Sequence, residues 1–187
     1  MSPSIIPNLL TVGRVLLIAP LVYLLLVGNF FWALILAVAA GITDLLDGWL
    51  ARRYGWQSRF GSLADPLADK MLMLAVFLTL AWLGELSWWL VGIVVVRDLV
   101  IVCGGLVYHV RFEPVTANPT QLSKFNTFCQ VLLMWVVLVR LAGLPIPIEL
   151  LHGLVWLVAV LAVLTLIHYV WVWSRKAVII SRARKAG

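Results

Sequence analysis

The sequence predicts an all-α protein, a polytopic membrane bundle of six transmembrane helices, on three observations. Of its 187 residues, 64% are hydrophobic and only 12% charged, and the mean hydropathy is +1.07, far from the make-up of a soluble domain. The apolar residues gather into six runs, at 8–28, 30–52, 62–84, 87–110, 121–142 and 150–174, each near the roughly 20 residues that cross a bilayer. Short turn or charge signals separate the runs, so the chain has room for one membrane domain, 1–187, and none for a soluble domain of useful size.

Taken in order, the first run has a candidate short N-terminal interfacial helix, Ile5 to Arg14, ahead of the span, with Pro20 allowing a kink. Gly28-Asn29 separates it from the second run, which ends in Asp44, Asp47, Arg52 and Arg53. The third run opens at Gly61 and stops at Gly84-Glu85, and the fourth is interrupted by Arg97 and Asp98. Glu113 to Pro119 leads into the fifth, which opens with Ser123, Lys124, Asn126, Thr127 and Gln130; Pro145-Ile146-Pro147 leads into the sixth.

Lys and Arg set the orientation. Arg52, Arg53 and Arg59 flank the second connection, Arg111 and Lys124 the fourth, and Arg175, Lys176, Arg182, Arg184 and Lys185 follow the last run, while the opposite side has only Arg140. Both termini are expected in the cytoplasm. The ten tryptophans lie mostly near span ends, as an aromatic belt does. The same distribution explains the net charge of +6 without nucleic acid, because the basic residues fall in short groups at segment ends rather than along one face. No signal peptide is expected, since no basic stretch precedes the first apolar run, and a bacterial inner membrane is the expected location. Cys103 and Cys129 lack CxxC spacing or His partners, and are expected as small core residues. His109, His152 and His168 are isolated in apolar surroundings.

Four aspartates sit where a spanning helix tolerates charge poorly. Asp44 and Asp47 lie near the end of the second run and Asp65 and Asp69 at the start of the third; each uncompensated carboxylate deep in lipid costs roughly 2.5 to 3.5 kcal/mol. Spacings of three and four put each pair on one face of its helix, and a short connection makes the two helices antiparallel neighbours. Four carboxylates converging on one cytoplasmic-side pocket repel one another unless hard cations neutralise them, and oxygen-only ligands favour Mg²⁺, Mn²⁺ or Ca²⁺ over zinc. Gly48, Ala51 and Gly61 leave room near the acids, and Arg52 supplies a fork suited to phosphate. Such a setting suits diphosphate chemistry.

The stretch 44–69, Asp44-Leu-Leu-Asp47-Gly48-Trp-Leu-Ala51-Arg52, then Gly61, Asp65 and Asp69, resembles the signature of the CDP-alcohol phosphotransferase (CDP-alcohol phosphatidyltransferase) family at all of its fixed positions. The likeness extends to Pro7-Asn8-Leu9-Leu10-Thr11 with Arg14, and to Arg97-Asp98. It implies a six-helix enzyme, often a homodimer, that moves a phosphatidyl group from CDP-diacylglycerol to an alcohol with release of CMP, using two divalent cations, Mg²⁺ or Mn²⁺. Asp44, Asp47 and Asp65 would bind the metals and the CDP moiety would rest against Asp44, Gly48, Ala51, Arg52 and Gly61. Asp69 would be the general base, a metal ligand, or both.

The acceptor is read from the fourth and fifth runs. The plainer expectation for their polar residues is an ion pair plus helix-end side chains; the functional one is that these residues, Gln130 included, line an acceptor site, with Arg97, Lys124 and Asn126, together with Asn8 and Arg14, holding acceptor or phosphate. Phosphatidylglycerophosphate synthases of the family usually carry Arg-Glu in the fourth span and Gly-Lys-x-Lys-Thr in the fifth. Arg97-Asp98 and Ser123-Lys124-Phe125-Asn126-Thr127 are more similar to the family's eukaryotic-type cardiolipin synthases, where a neutral Asn replaces the second lysine. That fits phosphatidylglycerol, already a diester with one charge fewer, as acceptor; glycerol 3-phosphate is the alternative. A divalent cation transporter would also bury carboxylates, but it leaves the Gly48, Ala51, Arg52 and Gly61 spacing unexplained.

Overall fold

A computed structural model describes residues 5–54, 61–111 and 120–186, with side chains described for 13, 15–43, 68–104 and 120–172. The described residues form six α-helices: α1 (Ile5–Leu26), α2 (Phe30–Tyr54), α3 (Gly61–Trp82), α4 (Trp88–Arg111), α5 (Gln121–Leu141) and α6 (Ile148–Ala186). Among the described residues there is no strand. The all-α expectation and the number of helices hold, and three boundaries move for one shared reason. α1, α3 and α5 stop short of Gly28, Gly84 and Gly143, whose φ angles of 76°, 80° and 98° lie in the left-handed region.

Each of these glycines closes its helix with the same pair of bonds. The N–H of Gly28 donates to the Leu25 carbonyl at 3.1 Å and that of Asn29 to Leu24 at 2.9 Å; Gly84 and Glu85 donate to Ala81 (3.1 Å) and Leu80 (2.9 Å), and Gly143 and Leu144 to Arg140 (3.0 Å) and Val139 (3.3 Å). This is the Schellman arrangement, which satisfies two carbonyls otherwise left open at a helix end.

The N-terminal expectation is corrected. Ile5–Leu26 is one helix with Pro20 inside it, so Ile5 to Arg14 is not a separate interfacial element; nothing between Arg14 and Val15 breaks the apolar, helix-compatible run. α6 also exceeds its expected end, continuing through the basic tail to Ala186. At 1.5 Å per residue its 39 residues reach about 58 Å, well past the roughly 30 Å of a hydrocarbon core.

The chain divides into two compact units. The first comprises Met1–Leu86 with Met134–Ile146. Within it α1 packs against both α2 and α3, burying Leu21 and Leu25 of α1, Ala33, Ala37 and Ala40 of α2, and Val76, Phe77 and Leu80 of α3. The alanines recur at helical spacing and keep that face of α2 thin, as lipid-embedded helices require for close approach. The second unit comprises Ser87–Leu133 with Pro147–Gly187. Here α4 packs against α6 around Leu90, Val91, Val94, Leu154, Val158 and Ala162, and the rings of Trp89 and Trp156 lie 5.4 Å apart.

Apolar side chains face outward in both units: Leu16, Trp32, Trp82, Trp156 and Ile167 are each more than half exposed, while Arg97, Asn126 and Gln130 are buried. A water-soluble protein reverses that distribution. Among the described residues, Gln121–Leu141 and Ile148–Val172 are long and apolar enough to cross a membrane, and Val15–Leu26 and Phe30–Thr43 are shorter apolar segments. Cys129 is buried as expected, but Cys103 is exposed, because its position on α4 falls outside the packed face.

Candidate active site

The acid-bearing segments belong to the first unit. α2 runs unbroken to Tyr54 and α3 begins at Gly61, so positions 44 and 47 are one turn apart on one helix, and 65 and 69 one turn apart on the other. Those helical spacings and the all-carboxylate donor set suit a hard divalent cation. The side chains of Asp44, Asp47, Gly48, Ala51, Arg52, Gly61 and Asp65 lie outside the described residues, as do those of Asn8 and Arg14. Asp69 is described and partly buried, directly after the buried Ala68. One residue before Asp44, the Thr43 hydroxyl donates to the carbonyls of Ala40 (2.8 Å) and Ala39 (3.0 Å); the polar group is satisfied within its own helix. Among the described residues, no three His, Cys, Asp or Glu side chains form a metal-holding group.

The second unit supplies a buried polar cluster. Its placement starts at Thr120, whose hydroxyl accepts from the N–H of Ser123 at 3.3 Å and whose carbonyl accepts from Lys124 at 3.1 Å. That is an N-cap, fixing the first turn of α5. The Thr120 N–H itself donates to the Tyr169 hydroxyl of α6 at 3.4 Å. Ser123 is thereby held where Arg97 Nη2 donates to its Oγ at 2.6 Å, while Arg97 Nη1 bonds Asp98 Oδ1 at 2.5 Å.

The ion pair of the plainer expectation is therefore present, but helix-end polarity does not describe the rest. Ser123, Asn126 and Gln130 are buried, Asn126 to 0% and Gln130 to 1% relative exposure, whereas Lys124 and Thr127 are exposed. Among the described residues, Arg97 is the bulkiest of the fully buried side chains, at 1%. Its Nε, both amide atoms of Asn126 and Nε2 of Gln130 have no hydrogen-bond partner. Each such buried orphan costs about 1–3 kcal/mol, a penalty that a ligand with matching groups removes.

Of the sequence-predicted acceptor residues, the structure thus brings Arg97 and Asn126 into one unit's interior and leaves Lys124 on its surface. Gln130, one of the polar residues that open the fifth run, is buried as well, and its spacing of four from Asn126 puts the two on one face of α5. An open groove in the same unit, lined by Leu122, Leu164, Ile167, His168 and Trp171, is apolar apart from His168 and has no donor set for phosphoryl chemistry.

An all-helical chain with outward apolar faces, carboxylates paired at helical spacing and a buried arginine with unmet hydrogen-bonding capacity belongs among membrane-embedded proteins that handle charged groups. Residues 4–171 match the family described as CDP-alcohol phosphatidyltransferase, and the chain belongs to that family. It is 42% identical over 142 residues to a probable CMP-forming cardiolipin synthase of Drosophila melanogaster, covering 67% of this chain and 44% of the relative. It is 34% identical over 151 residues to the human CMP-forming cardiolipin synthase, covering 71% and 50%. A CDP-diacylglycerol–glycerol-3-phosphate 3-phosphatidyltransferase of Rickettsia typhi is 27% identical over 165 residues, covering 86% of this chain and 92% of the relative. The chain spans about half the length of the two eukaryotic relatives.

Proposed function

We propose that this protein is a metal-dependent phosphatidyltransferase of phospholipid synthesis that moves the phosphatidyl group of CDP-diacylglycerol to phosphatidylglycerol, forming cardiolipin and releasing CMP. The observation that carries the acceptor is Asn126: at the position where a phosphomonoester-using member of the family would place a second lysine, this chain buries a neutral amide. A phosphodiester needs one cation fewer than a monoester, and an added buried lysine would lack compensation. The identity to relatives named as cardiolipin synthases points the same way.

In this reading Asp69 takes the proton of the acceptor hydroxyl as its oxygen attacks the lipid-linked phosphorus; the bond from that phosphorus to the bridging oxygen breaks, and CMP leaves. Two divalent cations, Mg²⁺ or Mn²⁺, held by Asp44, Asp47 and Asp65, with Asp69 as a further ligand, would stabilise the charge that builds on the attacking and leaving oxygens. Gly48, Ala51, Arg52 and Gly61, with Asp44, hold the CDP end. Arg97, with Asn126, Lys124, Asn8 and Arg14, receives the acceptor and its phosphate. The whole chain, 1–187, works as one six-span domain of a bacterial inner membrane, as a homodimer, with both termini and the active site on the cytoplasmic side. The Lys and Arg residues at segment ends and the outward apolar faces support that placement.

Glycerol 3-phosphate is the second reading, favoured by the Rickettsia typhi relative that the chain matches over 92% of its length. The experiment is CMP release by purified protein given CDP-diacylglycerol, Mg²⁺ or Mn²⁺, and either acceptor, with the product identified by mass. Cardiolipin supports the first reading, phosphatidylglycerophosphate the second, and CMP release with neither acceptor refutes both.

A further inference from the structure

The buried face of α5 changes character partway along. Ser123, Asn126, Gln130, Leu133 and Val137 recur at helical spacing and are all buried. The face is polar through Gln130 and apolar from Leu133 onward. Gln130 has no part in the reaction as described above, yet it is 1% exposed and its Nε2 has no partner. A leucine at this point of the stripe would have packed without that penalty.

The unmet groups of the second unit define a ligand. Arg97 Nε, Asn126 Nδ2 and Gln130 Nε2 are donors, and Asn126 Oδ1 is an acceptor. Exchanging the two amide atoms of Asn126 leaves this inventory the same, because both are unpartnered. A bare phosphate brings acceptors only and leaves Asn126 Oδ1 unmatched. An ammonium headgroup brings donors only and leaves three N–H groups unmatched. A phosphate ester of a polyol satisfies both kinds: its phosphate oxygens accept from arginine, and its free hydroxyl can donate to one amide oxygen while accepting from the neighbouring amide N–H.

We infer that Gln130, one turn beyond Asn126, is a recognition residue for the central, non-reacting hydroxyl of the acceptor's glycerol unit. Asn126 Oδ1 accepts from that hydroxyl and Gln130 Nε2 donates to it. The inference rests on the transferase reading but not on the choice of acceptor, since phosphatidylglycerol and glycerol 3-phosphate both carry this hydroxyl.

The test compares initial CMP release from phosphatidylglycerol and from phosphatidyl-1,3-propanediol, which lacks only the central hydroxyl, in the full chain and in Gln130→Met. Glycerol 3-phosphate and 3-hydroxypropyl phosphate form a parallel pair. The unaltered protein should prefer the hydroxyl-bearing member of the pair it uses by about 10-fold, the scale of one buried hydrogen bond. Gln130→Met should lower that ratio several-fold, by losing use of the glycerol acceptor, with KM for CDP-diacylglycerol unchanged; the bond to Asn126 keeps the remainder of the preference. A ratio taken within one preparation is insensitive to the fraction folded, and Gln130→Asn, which retracts the amide by one methylene, provides a second variant with an intermediate ratio. No preference in the unaltered protein, or a preference that neither substitution reduces, overturns the inference while leaving the transferase reading intact. No CMP from any acceptor overturns the transferase reading, and the role of Gln130 with it.

Discussion

The acid-bearing ends of α2 and α3 and the polar cluster of α4 and α5, the two candidate sites, stand out in opposite ways. The first is written in residue type and spacing: Asp44, Asp47, Asp65 and Asp69 are conspicuous in apolar sequence before any coordinate is known. The second is written in burial. Asn126, Gln130 and Lys124 look alike in the sequence as polar residues opening a helix, and only packing separates the two amides, at 0% and 1% exposure, from the exposed lysine. Charge in an apolar segment announces itself because lipid penalises it strongly, whereas a neutral amide costs less and is just as common at a harmless helix end.

If the acids do the chemistry and the amides choose the acceptor, perturbing each should move different observables. The largest effect falls on the acids. Asp69→Asn should lower CMP release by about 10²–10⁴-fold or more with binding of CDP-diacylglycerol largely retained, and turnover near that of the unaltered protein would remove Asp69 from the general-base role. Chelation of divalent cations should likewise stop CMP release, and added Mg²⁺ or Mn²⁺ should restore it; activity that persists in EDTA would break the link between the carboxylates and metal.

Arg97 comes next and belongs to the amide side. Arg97→Met removes bonds to Ser123 and Asp98, and should cost about 2 kcal/mol of stability in detergent. That is less than the 3–5 of a fully buried pair, because the Asp98 side chain keeps 25% exposure and can be solvated. A thermal midpoint unchanged from the unaltered protein would show the pair to be dispensable to the fold. Asn126→Lys should then shift the ratio of glycerol 3-phosphate to phosphatidylglycerol use upward by about 10-fold, the equivalent of roughly 1.4 kcal/mol. An unmoved ratio would dissolve the contrast between the two regions, leaving the amides as structure alone.

The fold was legible largely because apolar run length and turn residues are local properties. Gly28 and Gly84 each end a helix where the sequence shows a run giving way to glycine, and Gly143 ends a third just ahead of the Pro145-Ile146-Pro147 signal; the six helices follow. The fusion of Ile5 to Arg14 with the first helix was not legible: Pro20 signals a possible interruption, but a proline removes one backbone bond and need not end a helix whose other turns are intact. The proposed acid site rests on spacing, which the sequence alone supplies. The role of Ser123 as partner of Arg97 was not legible, since their hydrogen bond joins residues 26 apart and depends on how α4 and α5 approach, which no periodicity encodes. At the turns the effect falls on stability alone: Gly28→Ala should lower the thermal midpoint by an amount equivalent to roughly 1–2 kcal/mol with turnover per folded molecule unchanged, and a turnover change would tie the turn to the site.

A Cβ built at Gly28, Gly84 or Gly143 meets nothing within 4 Å, so at these three positions glycine answers a demand of handedness and not of volume. The backbone there is the mirror image of what an ordinary residue prefers, and its mirror-image partner would be at home. Semi-synthesis with d-alanine at any of the three should therefore tighten the turn by restricting the unfolded chain, where its l-enantiomer, identical in size and hydrophobicity, loosens it.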